Sequence, residues 1–139
     1  MRNPLGTLVF GRGELPDALR TELDAERPVL IEEGLSGHVT YRHYRAPGRY
    51  SNWRRDWVRA ALVVTERRLG VFVRGMPIVN VPFDDPRMRG LDITAAGDAL
   101  LIRTDASHFN PKASGRVDVL IRPERPAVAL ERIRRRIRY

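Results

Sequence analysis

The feature that most constrains this chain is a series of short apolar alternations, each ended by turn-forming residues. Apolar residues occupy every second position from Val58 to Val64, and the same alternation returns from Leu69 to Val73. The four residues between them, 65–68, have the length of a tight hairpin turn. A period of two is that of a strand with one buried face, so this segment predicts an antiparallel hairpin.

Similar short segments occur along most of the chain. Gly, Pro and Asp residues separate them, as expected for turns. Upstream, residues 29–31 and 38–45 predict one long or bent strand, or a hairpin. Downstream, four further strands are predicted, at residues 78–83, 91–94, 99–105 and 117–121. About seven strands at this spacing are typical of an antiparallel barrel or sandwich.

The two ends of the chain have a helical period instead. Apolar residues at helical spacing predict a short amphipathic helix over residues 14–25, and another after Pro126 that continues to about Arg138. Residues 1–13 are predicted to be an irregular arm, and Pro47 is predicted to open a polar loop that runs to about Asp56. With 139 residues, the chain is expected to form a single domain over residues 14–139.

The composition excludes several classes of function. The chain has no cysteine, which excludes disulfides, thiol nucleophiles and thiolate metal sites. No apolar run approaches the roughly 20 residues that cross a bilayer, and the first residues do not resemble a signal peptide. His38 and His43 are five apart and would face opposite sides of a strand, so no metal site is expected. No nucleophile lies near a base in the sequence. We therefore expect a cytoplasmic protein that is not an enzyme and has no cofactor.

Positive charge is concentrated in two parts of the chain, residues 41–74 and 123–139. The formal net charge is +8, and Lys112 is the only lysine among 25 basic residues. Codon usage in a GC-rich genome explains the preference for arginine over lysine as well as a functional role of arginine does. It does not explain why residues 41–74 carry nine arginines and only two acidic residues. This local excess predicts attraction to an anionic partner or surface.

The strongest candidate site is the segment in which these arginines alternate with aromatic residues. Arginines bind phosphate or carboxylate with two hydrogen bonds, and aromatic rings stack on bases or lie in a lipid interface. The candidate binding residues are Arg42, Arg45, Arg49, Tyr50, Trp53, Arg54, Arg55 and Arg59. The alternative is structural: Trp53 and Trp57 are four apart, a spacing that would anchor a short helix to the core while the arginines face water.

Three other groups are weaker candidates. Basic residues 132–138 suit a membrane-surface helix, but their apolar stripe fits a helix that covers one end of a barrel. Asp105, His108 and Asn110 are explained by a turn stabilised by its own side chains. Asp84 and Asp85 are explained by a strand end followed by a cap.

Two stretches of sequence resemble a known family. Residues 61–72, ALVVTERRLGVF, resemble the hairpin of bacterial pleckstrin-homology-like (PH-like) and GRAM domains, and residues 79–85, VNVPFDD, are similar to the strand that follows it. The resemblance implies about seven antiparallel strands in a bent sheet or partly open barrel, capped by the C-terminal helix. It also implies that Arg42, Arg45, Arg49 and Arg59 occupy places similar to the basic residues with which some PH domains bind phosphoinositides.

Two functions remain open from the sequence. The first is a non-enzymatic binding or scaffolding module that recognises a protein partner or an anionic membrane surface, the latter by peripheral association with the inner face of the membrane. The second is a nucleic-acid-binding protein that uses the same arginine and aromatic residues. The sequence predicts no particular oligomeric state.

Overall fold

The computed structural model describes residues 14–108 and 111–137. The described chain contains seven antiparallel strands and two α-helices, which confirms the predicted fold class. In chain order they are α1 (Asp17–Asp24), β1 (Pro28–Ala46), β2 (Arg49–Thr65), β3 (Arg68–Val73), β4 (Met76–Pro82), β5 (Asp92–Ala96), β6 (Ala99–Asp105), β7 (Ser114–Ile121) and α2 (Pro126–Arg134). A short 3-10 helix, Pro86–Gly90, connects β4 to β5.

The strands form one sheet that curls into a half-barrel. Their order is β4-β3-β2-β1-β7-β6-β5, so β1 lies in the middle and pairs with β2 on one edge and β7 on the other. The remaining neighbours are consecutive hairpins. The two halves of the sheet are therefore connected through a single strand.

The inner, concave face of the sheet holds the main core. Alternating apolar residues of all seven strands point inward, where Ala129, Leu130 and Ile133 of α2 pack on them next to β5 and β6. The strand residues buried there include Val39, Leu62, Val64, Leu69, Val71, Val79, Val81, Ile93, Leu100, Ile102, Val119 and Ile121. Burial of this apolar surface is the dominant favourable contribution to folding.

The outer face of the sheet is covered only in part. Leu15, just before α1, and Leu23, near its end, form a second cluster with Ala61, Val63 and Phe72 on the outer side of β2 and β3. Glu33 of β1 ties the beginning of the helix to the sheet, because its Oε2 accepts a hydrogen bond from the backbone N–H of Leu15 at 2.8 Å. The last six residues of β2, 60–65, are therefore buried on both faces.

One prediction about this region is wrong. The polar loop expected from Pro47 to Asp56 is only a two-residue turn, and β2 already begins at Arg49. Pro47 and Gly48 are the two central residues of this turn. Gly48 has a φ of 74°, which glycine adopts readily at the second central position. Residues 49–56 lack apolar alternation because neither face of this half of β2 is covered by the core, and without a buried face the strand has no period of two.

Other boundaries differ less. The upstream segments form one long bent strand, as one of the two alternatives predicted, with an irregularity between Glu32 and Leu35 where Gly34 has a φ of 71°. The C-terminal helix ends at Arg134, four residues earlier than expected. The predicted arm over residues 1–13 lies outside the described residues.

β1 and β7 approach each other unusually closely at Gly37. Gly37 is paired with Ile121, and a Cβ atom added to the glycine would lie 2.1 Å from the carbonyl oxygen of Leu120. Any other residue would force the backbones of the two strands apart. Glycine at this position therefore allows β1 to pair with β7 while it also pairs with β2.

A buried carboxylate joins the end of α1 to the β2–β3 turn. Glu26 is 9% exposed, and its Oε1 accepts hydrogen bonds from Thr65 Oγ1 at 3.0 Å and from Arg68 Nε at 2.9 Å. Thr65 in turn accepts from the backbone N–H groups of Arg67 and Arg68 within the turn. Arg68 also reaches Glu22, at 3.5 Å, but the side chain of Glu22 is 62% exposed.

We expect Glu26→Ala to lower the free energy of unfolding by roughly 3 kcal/mol, because it leaves a half-buried guanidinium and a buried hydroxyl without their acceptor. Glu22→Ala removes an exposed carboxylate from the same arginine and should cost about 0.5 kcal/mol or less. Urea unfolding of the two variants against the unchanged protein provides the measurement. Equal losses would show that the network does not stabilise the turn.

Candidate functional site: an outer arginine and tryptophan platform

Strand register brings four arginines and two tryptophans together on the uncovered part of the outer face. Residues directly opposite each other in an antiparallel pair point to the same face. On this face Trp57 lies opposite His38, and Arg55 lies opposite Thr40. The next pair continues to β7, because Trp53 lies opposite Arg42 and Arg42 lies opposite Arg116. We call this group the outer platform: Arg42, Trp53, Arg55, Trp57, Arg59 and Arg116.

Both tryptophans of the platform are largely exposed. Trp53 is 56% and Trp57 is 70% exposed. Trp57 makes an edge-to-face contact with His38, with ring centroids 5.0 Å apart, and the guanidinium of Arg55 lies 5.3 Å from the centroid of the Trp53 ring. The structural alternative, in which these residues anchor a helix to the core, is wrong: they lie on a strand and their rings face outward.

The arginines of the platform are held in place by a small polar network. Arg55 donates from Nε to Thr40 Oγ1 at 3.0 Å. Asp118 of β7 is 7% exposed and lies between two arginines, with its Oδ2 3.2 Å from Arg42 Nε and its Oδ1 3.4 Å from Arg116 Nε. The carboxylate fixes both side chains but neutralises only one of their two charges.

Arg59 stands at the other end of the platform. Its Nη1 donates to the carbonyl oxygen of Gly34 at 3.1 Å, at the irregularity of β1. This contact places a fourth guanidinium on the outer face. With one buried carboxylate among four arginines, the platform presents a positive field to solvent.

Arg54 belongs to the other side of the sheet. Its Nε donates to Asp56 Oδ1 at 2.9 Å, and this hydrogen bond is the largest cause that raises the pKa of the guanidinium. The guanidinium lies 5.9 Å from the centroid of the Tyr41 ring. Burial raises the pKa of the Tyr41 hydroxyl above 10.0, and the charge of Asp56 adds to this shift. The predicted set of site residues is therefore divided between two faces.

A cleft of about 500 Å³ opens on the side of Arg54. Its lining includes Tyr41 and Val58 of the long hairpin together with Val73, Met76 and Ile78 of the β3–β4 hairpin. We call it the inner cleft. Met76 is 66% exposed, although its side chain is apolar.

The remaining predicted residues lie at the turn that joins β1 and β2. Arg45 and Tyr50 are opposite each other, and the guanidinium of Arg45 lies 5.1 Å from the centroid of the Tyr50 ring. Arg49 is the first residue of β2 and is exposed. These three residues form a separate group at the tip of the hairpin.

Two residues of the platform are absent from the predicted set. Arg116 is far from the arginine-rich segment in sequence, and only the pairing of β1 with β7 brings it to Arg42. Trp57 carried a signal, because a spacing of four places it on the same face as Trp53 in a strand. The helical interpretation of that spacing is wrong, because both residues lie on β2.

Two of the weaker candidates, Asp85 and Asp105, have structural roles. Asp85 caps the 3-10 helix, since its Oδ1 accepts from the backbone N–H of Arg87 at 2.8 Å. Asp105 accepts from the backbone N–H of Ser107 at 2.9 Å, as expected for a self-stabilised turn. The side chain of His108 and all of Asn110 lie outside the described residues. Within residues 14–108 and 111–137, no group of three or more His, Cys, Asp or Glu is placed to hold a metal ion.

A larger cleft, of about 680 Å³, lies at the opposite end of the sheet beside the β2–β3 turn. Most of its charged side chains are paired: Arg68 with Glu26, Arg87 with Asp85 at 2.9 Å, and Glu66 with Arg136 at 3.0 Å. The paired charges are those that hold the turn and the 3-10 helix. This cleft therefore offers less free charge to a ligand than the outer platform.

No family model matches the sequence, and no curated protein matches it significantly. In the part of the chain that the structure describes, no helix is long and apolar enough to cross a membrane.

His38 offers a direct test of the platform geometry. Burial, followed by the charges of Arg55 and Arg122, lowers the pKa of the imidazole below 6.5. The folded state therefore favours the neutral ring, which stabilises the fold above pH 6.5, and this contribution is lost as the pH falls through the lowered pKa. We expect an NMR titration to give a His38 midpoint below 6.5, and Arg55→Gln to move it upward. A midpoint unaffected by Arg55→Gln would contradict the placement of Arg55.

Proposed function

We propose that this chain is a non-catalytic binding module with a PH-like fold that attaches peripherally to anionic membrane surfaces through the outer platform. The observation that carries the proposal is the exposure of Trp53 and Trp57 on one strand face, among arginines. Tryptophan side chains are normally buried at least in part, and two exposed rings on one face suggest a binding surface.

The chemistry of the platform suits the headgroup region of a bilayer. The amphipathic ring of tryptophan favours the membrane–water interface. Arginine binds phosphate groups bidentately and is attracted by the negative potential of anionic lipids. At about 3.3 Å per residue, Trp53 and Trp57 are roughly 13 Å apart, with Arg55 between them. Both rings can therefore enter one leaflet while the guanidinium remains among the phosphates.

Binding at this face needs no rearrangement of the protein. The core lies on the inner face, and α1 covers the outer face only beside residues 60–65 of β2. Asp118 and Thr40 already orient three of the platform arginines. A preorganised surface loses less conformational entropy when it binds.

The order of the elements supports the PH-like part of the proposal. Seven antiparallel strands are followed by a helix that packs inside the curled sheet. In some members of the PH-like family that the sequence resembles, basic residues on the first two strands and on the loop between them bind phosphoinositides. Arg42, Arg45, Arg49 and Arg59 occupy β1 and β2 here. Association with the cytoplasmic face of a membrane would follow from this reading.

The two platform tryptophans are the only tryptophans in the chain, so their fluorescence reports the contact directly. We expect phosphatidylcholine vesicles that contain phosphatidylglycerol to shift the emission to shorter wavelength, and vesicles of phosphatidylcholine alone to have no effect. At about 1 kcal/mol for each arginine near an anionic surface, Arg55→Gln with Arg59→Gln should lower the partition coefficient roughly thirtyfold at low salt.

The matched control removes the same charge elsewhere. Arg134→Gln with Arg135→Gln changes two exposed arginines at the end of α2 and should leave vesicle binding almost unchanged. Equal losses in the two double variants would show that only net charge matters and would refute the platform. Failure to bind vesicles together with salt-sensitive binding of single-stranded oligonucleotides would favour the nucleic-acid alternative instead.

A further inference from the structure

The first half of β2 has a neighbouring strand on one side only. β1 pairs with β2 along the whole hairpin, whereas β3 pairs only with residues 60–64 of β2. Within the described chain, residues 49–59 therefore form an edge of the sheet, which we call the free edge. Eleven residues at about 3.3 Å each give it a length of roughly 36 Å.

Alternation determines which backbone groups the free edge presents. The backbone N–H of Arg122 donates to the carbonyl oxygen of Ser36 at 3.0 Å, so Ser36 directs its backbone groups toward β7. Arg59, which lies opposite Ser36, is therefore in a non-hydrogen-bonded pair and directs its N–H and C=O groups away from β1. Because this direction alternates along a strand, the odd-numbered residues from Trp53 to Arg59 present their backbone groups at the free edge. The pairing with β1 is interrupted opposite Asn52, where His43 has a φ of 50°.

The same series of residues continues where β2 pairs with β3. Ala61 and Val63 are the next odd-numbered residues of β2, and they lie opposite Phe72 and Gly70 of β3. A strand added to the free edge would thus extend the line of β3 beyond Val73, where the chain turns back into β4. The free edge is an uninterrupted continuation of an existing strand pairing.

The inner cleft lies beside this edge. Arg54, Asp56 and Val58 line it from β2, and Met76 and Ile78 line it from β4. Side chains of an added strand would alternate between the inner cleft and the outer face. Charged side chains, among them Arg54 and Arg74, line part of the cleft, and Val58, Val73, Met76 and Ile78 line another part, on which apolar residues of such a strand can pack.

Charge decides which strand the edge can accept. Residues 49–59 contain four arginines and one acidic residue. A second copy of this chain that paired at the same edge would place arginines beside arginines, which is unfavourable. A strand with acidic side chains would instead place carboxylates beside Arg55 and Arg59 on the outer face.

We propose that the free edge binds an extended segment of another protein in which apolar and acidic residues alternate. The segment adds to the sheet as a further strand, with its apolar side chains in the inner cleft and its acidic side chains toward Arg55 and Arg59. Backbone hydrogen bonds supply affinity in this mode of recognition, and the alternating side chains supply specificity. This interaction does not depend on membrane binding by the outer platform.

The test uses the full chain and capped ten-residue peptides of alternating valine and glutamate. Titration followed by tryptophan fluorescence and calorimetry should give saturable binding. Peptides that alternate valine with lysine, or that hold the same valines and glutamates in two blocks, should bind at least tenfold more weakly. If the block peptide binds as well as the alternating one, attraction between charges explains the binding and the strand addition is refuted.

Two N-methylated peptides test the backbone pairing without any change to the protein. Methyl groups on alternate amides along one edge of the peptide block its hydrogen bonds to β2, whereas methyl groups along the other edge leave them intact. We expect one series to lose binding at least tenfold and the other to retain it. Equal affinity of the two series would overturn the proposal.

A pair of protein variants tests the same backbone pairing from the other side. Arg55→Pro and Arg55→Val remove the same charge, but only the proline also removes an outward N–H of the free edge. The proline variant should bind the peptide at least tenfold more weakly than the valine variant, while the two variants should bind phosphatidylglycerol vesicles equally well. Equal peptide affinity of the two variants would refute the strand addition, and concentration-dependent dimerisation that Arg55→Pro abolishes and Arg55→Val retains would identify a second copy as the occupant.

Discussion

The pairing of β1 on both of its edges is the interaction on which the rest of the structure depends. Every other strand reaches the opposite half of the sheet only through β1, and β1 holds the two halves together between Gly37 and Arg45. The missing side chain at Gly37 makes this possible, because the carbonyl oxygen of Leu120 occupies the space of a Cβ atom.

The curl separates the two faces of the sheet chemically. The inner face closes over apolar residues and α2, and α1 covers only one part of the outer face. Polar and charged residues can occupy the part of the outer face that α1 does not cover, because their side chains remain in contact with water there. Asp118 is the exception, since it is nearly buried there, and it is placed between Arg42 and Arg116, whose charges compensate it. The platform thus combines a fixed geometry with a positive charge.

Sequence reasoning succeeded where one face of an element is buried, because burial imposes a period. The β2–β3 hairpin, the strands after it and both helices follow from this rule. It failed at residues 49–56, where β2 projects beyond the core and neither face is apolar. It also failed at Arg116, since pairing between β1 and β7 depends on the whole sheet and leaves no local pattern. The spacing of Trp53 and Trp57 fits one face of a helix or of a strand, so the spacing alone did not distinguish them.

The arginines of β2 have two physical effects that act together. A long unpaired strand edge promotes pairing with other chains, and charged side chains along an edge oppose that pairing. Here all but one of the charges on residues 49–59 are positive, so repulsion is strongest between two identical edges and weakest toward an acidic strand. Protection against self-association therefore does not close the edge to every partner. The four guanidinium groups on this edge repel a second copy of the chain and attract a segment of opposite charge. The arginines therefore oppose self-association and still allow an acidic strand to bind.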